Sequence, residues 1–99
     1  MYSVHLEPVA HKDHQPIVWV ARLFDSEDAD QAWRSGQPYL NAVTVVRTGE
    51  NTVEAKGLIV PVSISQIHAF RRALYKIGVT SLVIEHHDSH HKHKVEIPT

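Results

Sequence analysis

The chain contains no cysteine, which excludes disulfides, thiolate zinc sites and a cysteine nucleophile without separating a reducing compartment from an oxidising one. No apolar run approaches the roughly 20 residues that span a bilayer. The opening, Met1-Tyr2-Ser3-Val4-His5, lacks the basic segment and apolar stretch of a secretory signal. A cytoplasmic protein with no membrane partner is the expectation. An excess of one charge is missing too: 10 basic residues stand against 11 acidic ones, for a formal charge of -1. No global field draws such a chain onto nucleic acid, and it is not acidic enough to imitate DNA. Internal repeats and low-complexity linkers are also absent, although the tail is rich in histidine.

What is present is ordinary in bulk. At 99 residues, 42% hydrophobic and 21% charged, the composition is that of a single globular domain over residues 1–99, with one core of two packed layers. The nine histidines are the oddity, since protonating all of them takes the charge from -1 to +8 and makes association sensitive to pH.

The stretch from Gly57 to Ile84 reads as strand, helix, strand. Ser63 stands three residues before Gln66, the spacing of a capping box, and Val62 with Ile67 occupies the two positions of a hydrophobic staple. Ile67, Phe70, Leu74 and Ile77 recur at steps of three and four and form one stripe facing a sheet, while Gln66, Arg72 and Lys76 face out. Gly78 stops the helix, and Val79 to Ile84 is the next strand.

Upstream, Tyr2, Val4 and Leu6 alternate with polar residues as a half-buried strand that Pro8 limits. Pro8 to Pro16 is a polar connection. Ile17 to Phe24, apolar except for Arg22, reads as a central strand buried on both faces for most of its length. Acids from Asp25 to Asp30 mark a helix start capped by Asp25 or Ser26. Ala29, Ala32 and Trp33 share one face of that helix, and Gly36 with Pro38 ends it.

Leu40 to Arg47 and Thr52 to Val60 flank the turn Thr48-Gly49-Glu50-Asn51 as a hairpin, with Val46 opposite Val53, Thr44 opposite Ala55, Ala42 opposite Gly57 and Leu40 opposite Ile59. A last hairpin folds about Asp88-Ser89 and pairs Leu82 with Val95, Thr80 with Ile97, Val83 with Lys94 and Glu85 with Lys92. The order β-β-α-β-β-α-β-β implies an α+β, two-layer domain: a mostly antiparallel sheet of about six strands with two helices on one side.

The register of the last hairpin brings His86, His91 and His93 onto one face, with His87 and His90 on the other. Three imidazoles so placed can hold zinc or nickel with water in the open position, and His11, Asp13 and His14 add ligands if their loop lies nearby. A solvated hairpin tip accounts for the same residues without a metal, and a contact opened by protonation is a third reading. Arg71, Arg72, Tyr75 and Lys76 lie on and beside the outer face of the longer helix and can touch phosphate or an acidic partner. The competing account is an ordinary solvated face with cations at the negative end of the helix dipole. Trp19 and Trp33 read as core. Ser63 and Ser65 belong to a helix start, and Ser89 has only Asp88 beside it, so no catalytic constellation assembles by spacing.

Lys56-Gly57-Leu58-Ile59-Val60-Pro61-Val62, the helix from Ser63 to Ile77 and the strand Val79 to Glu85 resemble the strand, helix and strand core of the GNAT acetyltransferases. The tail from His90 to Ile97 is similar to that family's last pairing. The likeness covers about the final 45 residues and rests on pattern. In the family a glycine-rich turn presents amides to the pyrophosphate of acetyl-CoA; here that place is Val62-Ser63-Ile64-Ser65-Gln66, without glycine. The resemblance therefore implies a shortened fold, of the kind some bacteriophage proteins show, without the cofactor or the activity.

The expectation is a non-enzymatic accessory protein of a phage or mobile element that binds another protein and can form a homodimer through an open strand edge. Nucleic acid is not the expected partner, and no cofactor is expected. The alternatives are a metal-binding protein using His86, His91 and His93, and a degenerate acyltransferase.

Overall fold

The computed structural model describes residues 1–56, 63–85 and 92–96. The elements are β1 (Ser3–Lys12), β2 (Gln15–Phe24), α1 (Ala29–Arg34), β3 (Asn41–Arg47), β4 (Thr52–Lys56), α2 (Ile64–Lys76), β5 (Ser81–Glu85) and β6 (Lys92–Glu96). The strands form one sheet in chain order, antiparallel at each step except β4 to β5, which run parallel with α2 as their crossover. The fold is α+β, with a mostly antiparallel sheet and two helices. Among the described residues no helix is long and apolar enough to cross a membrane. The expected strand from Gly57 to Val62 and the staple on Val62 lie outside the described residues.

Pro8 does not end the first strand. β1 continues to Lys12 and turns tightly into β2 through Asp13 and His14, whose φ of 52° and 66° are both positive, as a two-residue type I′ turn requires. The segment read as a polar connection is thus the end of a hairpin. Its polarity follows from its position, since β1 is an edge strand, which tolerates proline, and Val9 bulges out of the pairing just beyond Pro8.

α2 ends as its sequence indicates. Ser63 accepts from the Gln66 amide while Gln66 accepts from the Ser63 amide, which completes the capping box. At the other end Gly78 has φ of 87°, its amide donates to Tyr75, and the Val79 amide reaches back to Leu74 at 3.1 Å. This is a Schellman closure, with Val79 and Leu74 both buried as its apolar contact. The buried stripe is Ala69, Phe70 and Leu74, with Ile67 half-buried and Ile77 turned out.

α1 closes in the same way, through Gly36 at φ of 78° and a Gln37 amide bonded to Ala32 at 2.9 Å. Its cap is neither Asp25 nor Ser26. Asp28 accepts from the Gln31 amide at 3.1 Å, and the hydroxyl of Ser26 holds the Asp28 amide in turn. The acids before Asp28 lie ahead of the helix, in the bend that turns the chain off β2.

Two further expectations are corrected. The helices do not share a side: Trp19, Ala21 and Leu23 of β2 cluster with Ala69, Phe70 and Leu74 of α2, whereas Phe24 clusters with Ala29 and Ala32 of α1. Successive strand residues point to opposite faces, so the helices flank the sheet. The β3–β4 register also differs by one residue, with Val45 opposite Ala55, Val46 opposite Glu54 and Arg47 opposite Val53. The turn is closed by the Thr48 amide on the Thr52 carbonyl, leaving three residues at its tip, and the Asn51 carbonyl there receives the Thr80 and Ser81 amides from the start of β5. A one-residue slip exchanges the faces. Here it buries Val43, Val45, Val53 and Ala55 together under α2. β5 and β6, by contrast, pair in the expected register, with Leu82 opposite Val95 and Glu85 opposite Lys92.

The left-handed conformation at His14 costs a β-carbon residue roughly 1 kcal/mol relative to glycine. His14→Gly is expected to raise the melting temperature by about 4 °C, read by calorimetry.

Candidate functional site

The sheet face on the α1 side carries the most concentrated polar chemistry among the described residues. It begins with Arg22, the one charge in the apolar run of β2. Cross-strand pairing sets Arg22 beside His5 of β1, and Glu7 one step further along the same face. Arg22 Nη1 donates to Glu7 Oε1 at 2.8 Å, with side chains 16% and 38% exposed respectively.

A six-residue helix does not hold itself together in water. α1 is stabilised by docking: Ala29 and Ala32 are small enough to bring the helix close over Phe24, which is fully buried. That approach lays the Trp33 ring across its two neighbours on the sheet. The Arg22 guanidinium carbon sits 4.1 Å from the ring centroid, and the His5 ring stacks on it at 5.5 Å and 21°. His5 Nδ1 and Asp30 Oδ1 are 2.7 Å apart, tying β1 to the helix a second time.

Tyr39 extends the cluster outward. Its ring meets Phe24 edge-on at 6.4 Å and lies 5.7 Å from Arg22, yet Tyr39 is 50% exposed and Leu40 beside it 56%. The Leu40 amide is anchored to the Leu23 carbonyl at 2.7 Å, so this apolar pair is presented on a tethered segment. Next to it, Val20, Ala42, Val43, Thr44 and Lys56 line a shallow depression of about 170 Å³. Glu7, Val20, Thr44 and Lys56 form one row across four strands of this face.

Chemically the arrangement gathers charge, aromatic surface and hydrogen-bonding groups of the kind that binding uses. Arg22 is held by Glu7 and Trp33, and among the described residues the one hydrogen bond made by the His5 side chain goes to Asp30.

The residues singled out from sequence are placed differently. His86 and His91 lie outside the described residues, as do His87 and His90, and the backbone of His93 sits in β6 opposite Ile84. His11, Asp13 and His14 are at the β1–β2 turn, and the strand order places β1 and β2 at the opposite end of the sheet from β5 and β6. Among the described residues no group of three or more His, Asp or Glu side chains is arranged to hold a metal ion. On α2, Arg72 Nη2 donates to the Tyr2 carbonyl at 3.0 Å and fastens the helix to the strand edge. Arg71 is half-buried, while Tyr75 and Lys76 are exposed. Trp19 is core and is flanked by Arg47 at 5.4 Å.

Sequence reasoning missed the cluster of His5, Arg22, Trp33 and Tyr39. The available signal was Arg22 itself, because a cation within a buried strand requires an acid and an aromatic or polar lid.

Arg22→Ala removes the contact under Trp33, the stem packing and the partner of Glu7, and is expected to destabilise by about 1–3 kcal/mol. Glu7→Gln is expected to cost under about 1 kcal/mol, because that carboxylate is partly screened by solvent. Urea unfolding of the two variants checks the ranking. In comparisons with protein-family models, curated proteins and solved structures, nothing matches this chain.

Proposed function

We propose that this protein is a non-enzymatic binding protein that holds a protein partner on the sheet face beside α1. The observation that carries the reading is the exposure of Tyr39 and Leu40 beside Arg22 and Trp33, on a segment anchored to the sheet. Tyrosine, tryptophan and arginine dominate the energetic centres of protein interfaces, and large aromatic rings already held in place lose little freedom on binding. The shallow strip of Val20, Ala42 and Thr44, with Lys56 at its rim, extends the contact area along the face. A broad, shallow surface suits a folded partner better than a small molecule, which needs an enclosed pocket.

The start of α2 supports the non-enzymatic half of the reading. Its capping box engages the Ser63 and Gln66 amides, two of the donors that a helix start would offer an acetyl-CoA pyrophosphate. The likeness to the GNAT acetyltransferases is accordingly proposed as a likeness of fold alone.

The test begins with a partner captured by the intact chain, identified and purified, then titrated against variants whose folding is verified. Tyr39→Ala combined with Leu40→Ser is expected to weaken binding by at least about tenfold, or roughly 1.4 kcal/mol. Tyr75→Ala combined with Lys76→Glu is expected to leave it unchanged. The reverse pattern would move the contact to the outer face of α2.

A further inference from the structure

We infer that the partner lays an extended segment over β3 on the face beside α1, with an apolar side chain over Ala42 and a carboxylate on Lys56. The inference rests on the reading of that face as the binding surface and adds the chemistry of what it holds.

The open surface is long and narrow. From Leu40, at the entry to β3, it runs past Ala42 to Thr44, about 13 Å at strand spacing, and Lys56 of β4 stands opposite Thr44 at its far end. Thr44 and Lys56 are exposed, while Ala42 and Val20 are half-buried. On its β2 side the strip is bounded, because Ala42 is paired with Arg22 and the Trp33 ring lies over Arg22. The depression lined by Val20, Ala42 and Thr44 measures about 170 Å³, below the roughly 300 Å³ at which small-molecule pockets begin. It takes single side chains. Alternate residues of an extended chain project the same way about 6.5 Å apart, the step that separates Ala42 from Thr44. An apolar residue and an acid two positions later therefore reach the depression and Lys56 together.

Charge decides the rest of the assignment. Arg22 is paired with Glu7, and His5 is bonded to Asp30. Glu54, two residues from Lys56 on the same face, is buried and already engaged. Lys56 is exposed and makes no ion pair among the described residues. The charge left to a partner along the strip is positive, and a carboxylate complements it. One ammonium among apolar side chains does not suit a nucleic acid, whose phosphates call for a series of cations. Tyr39 and Leu40 supply the anchoring surface, and Lys56 at the rim fixes the direction and register of the segment.

Panning a random-peptide display library on the intact chain at low salt, in parallel with Lys56→Glu, tests this. Circular dichroism verifies that both proteins are folded. The expected binders of the unaltered chain carry Asp or Glu two residues after an apolar residue, and Lys56→Glu exchanges that acid preference for Lys or Arg. A synthetic peptide from the first set is expected to bind Lys56→Glu about tenfold more weakly and to weaken as salt rises. It is also expected to shift the amide resonances of Ala42, Thr44 and Lys56. No binder, binders without an acid, or an acid preference that survives Lys56→Glu overturns the inference. Peptides that need Tyr39 and Leu40 but are indifferent to Lys56 overturn it too, and leave the reading of the face in place. That reading falls separately, if the captured partner is insensitive to Tyr39→Ala combined with Leu40→Ser.

Discussion

The alternation of β2 is the constraint on which the rest of the molecule depends. Trp19, Ala21 and Leu23 point one way and form the floor of the core under α2; Arg22 and Phe24 point the other way and receive α1. β2 also lies between β1 and β3, so its placement determines what faces what on both neighbours. A shift of one residue would put Arg22 under α2 and Leu23 under Trp33. The cost of burying an arginine without its acid, added to the loss of apolar packing, makes that alternative far less stable.

The two helices illustrate different sources of stability. α2 is 13 residues long, capped at both ends by its own side chains and backbone, and carries a stripe that the sheet covers. α1 has equally good caps but only six residues, too few to stand without the docking of Ala29, Ala32 and Trp33. Its contacts with His5 and Arg22 hold the helix down and at the same time arrange the polar and aromatic groups of the candidate face.

How far the sequence could be read varies with the range of the interactions involved. The capping box at Ser63, the stop at Gly78 and the face shared by Ala29, Ala32 and Trp33 were legible because each lies within a few residues. The β5–β6 register was legible too, since apolar and charged pairs agreed on a single alignment. The β3–β4 register was not, because the alignment that sets apolar or small residues opposite one another is not the one adopted, which sets Val46 opposite Glu54 and Arg47 opposite Val53. A distant contact decides between them, with the Asn51 carbonyl drawn toward the start of β5 and α2 covering Val45 and Ala55. Of the candidate site, Trp33 was read as core and Arg22 as a lone exception in an apolar strand; their meeting with His5 and Tyr39 spans residues 5 to 39 and left no local pattern.

By itself, then, the sequence determined most of the element types, the ends of α2, the stop of α1 and the general α+β class, because caps, turns and apolar periods act over single turns of chain. Tertiary structure alone decided which face each helix covers, how β3 meets β4, and that Arg22 joins Glu7, Trp33 and His5 in one cluster. The physical reason is that a strand offers two equivalent faces, and only the packing of distant elements makes them different.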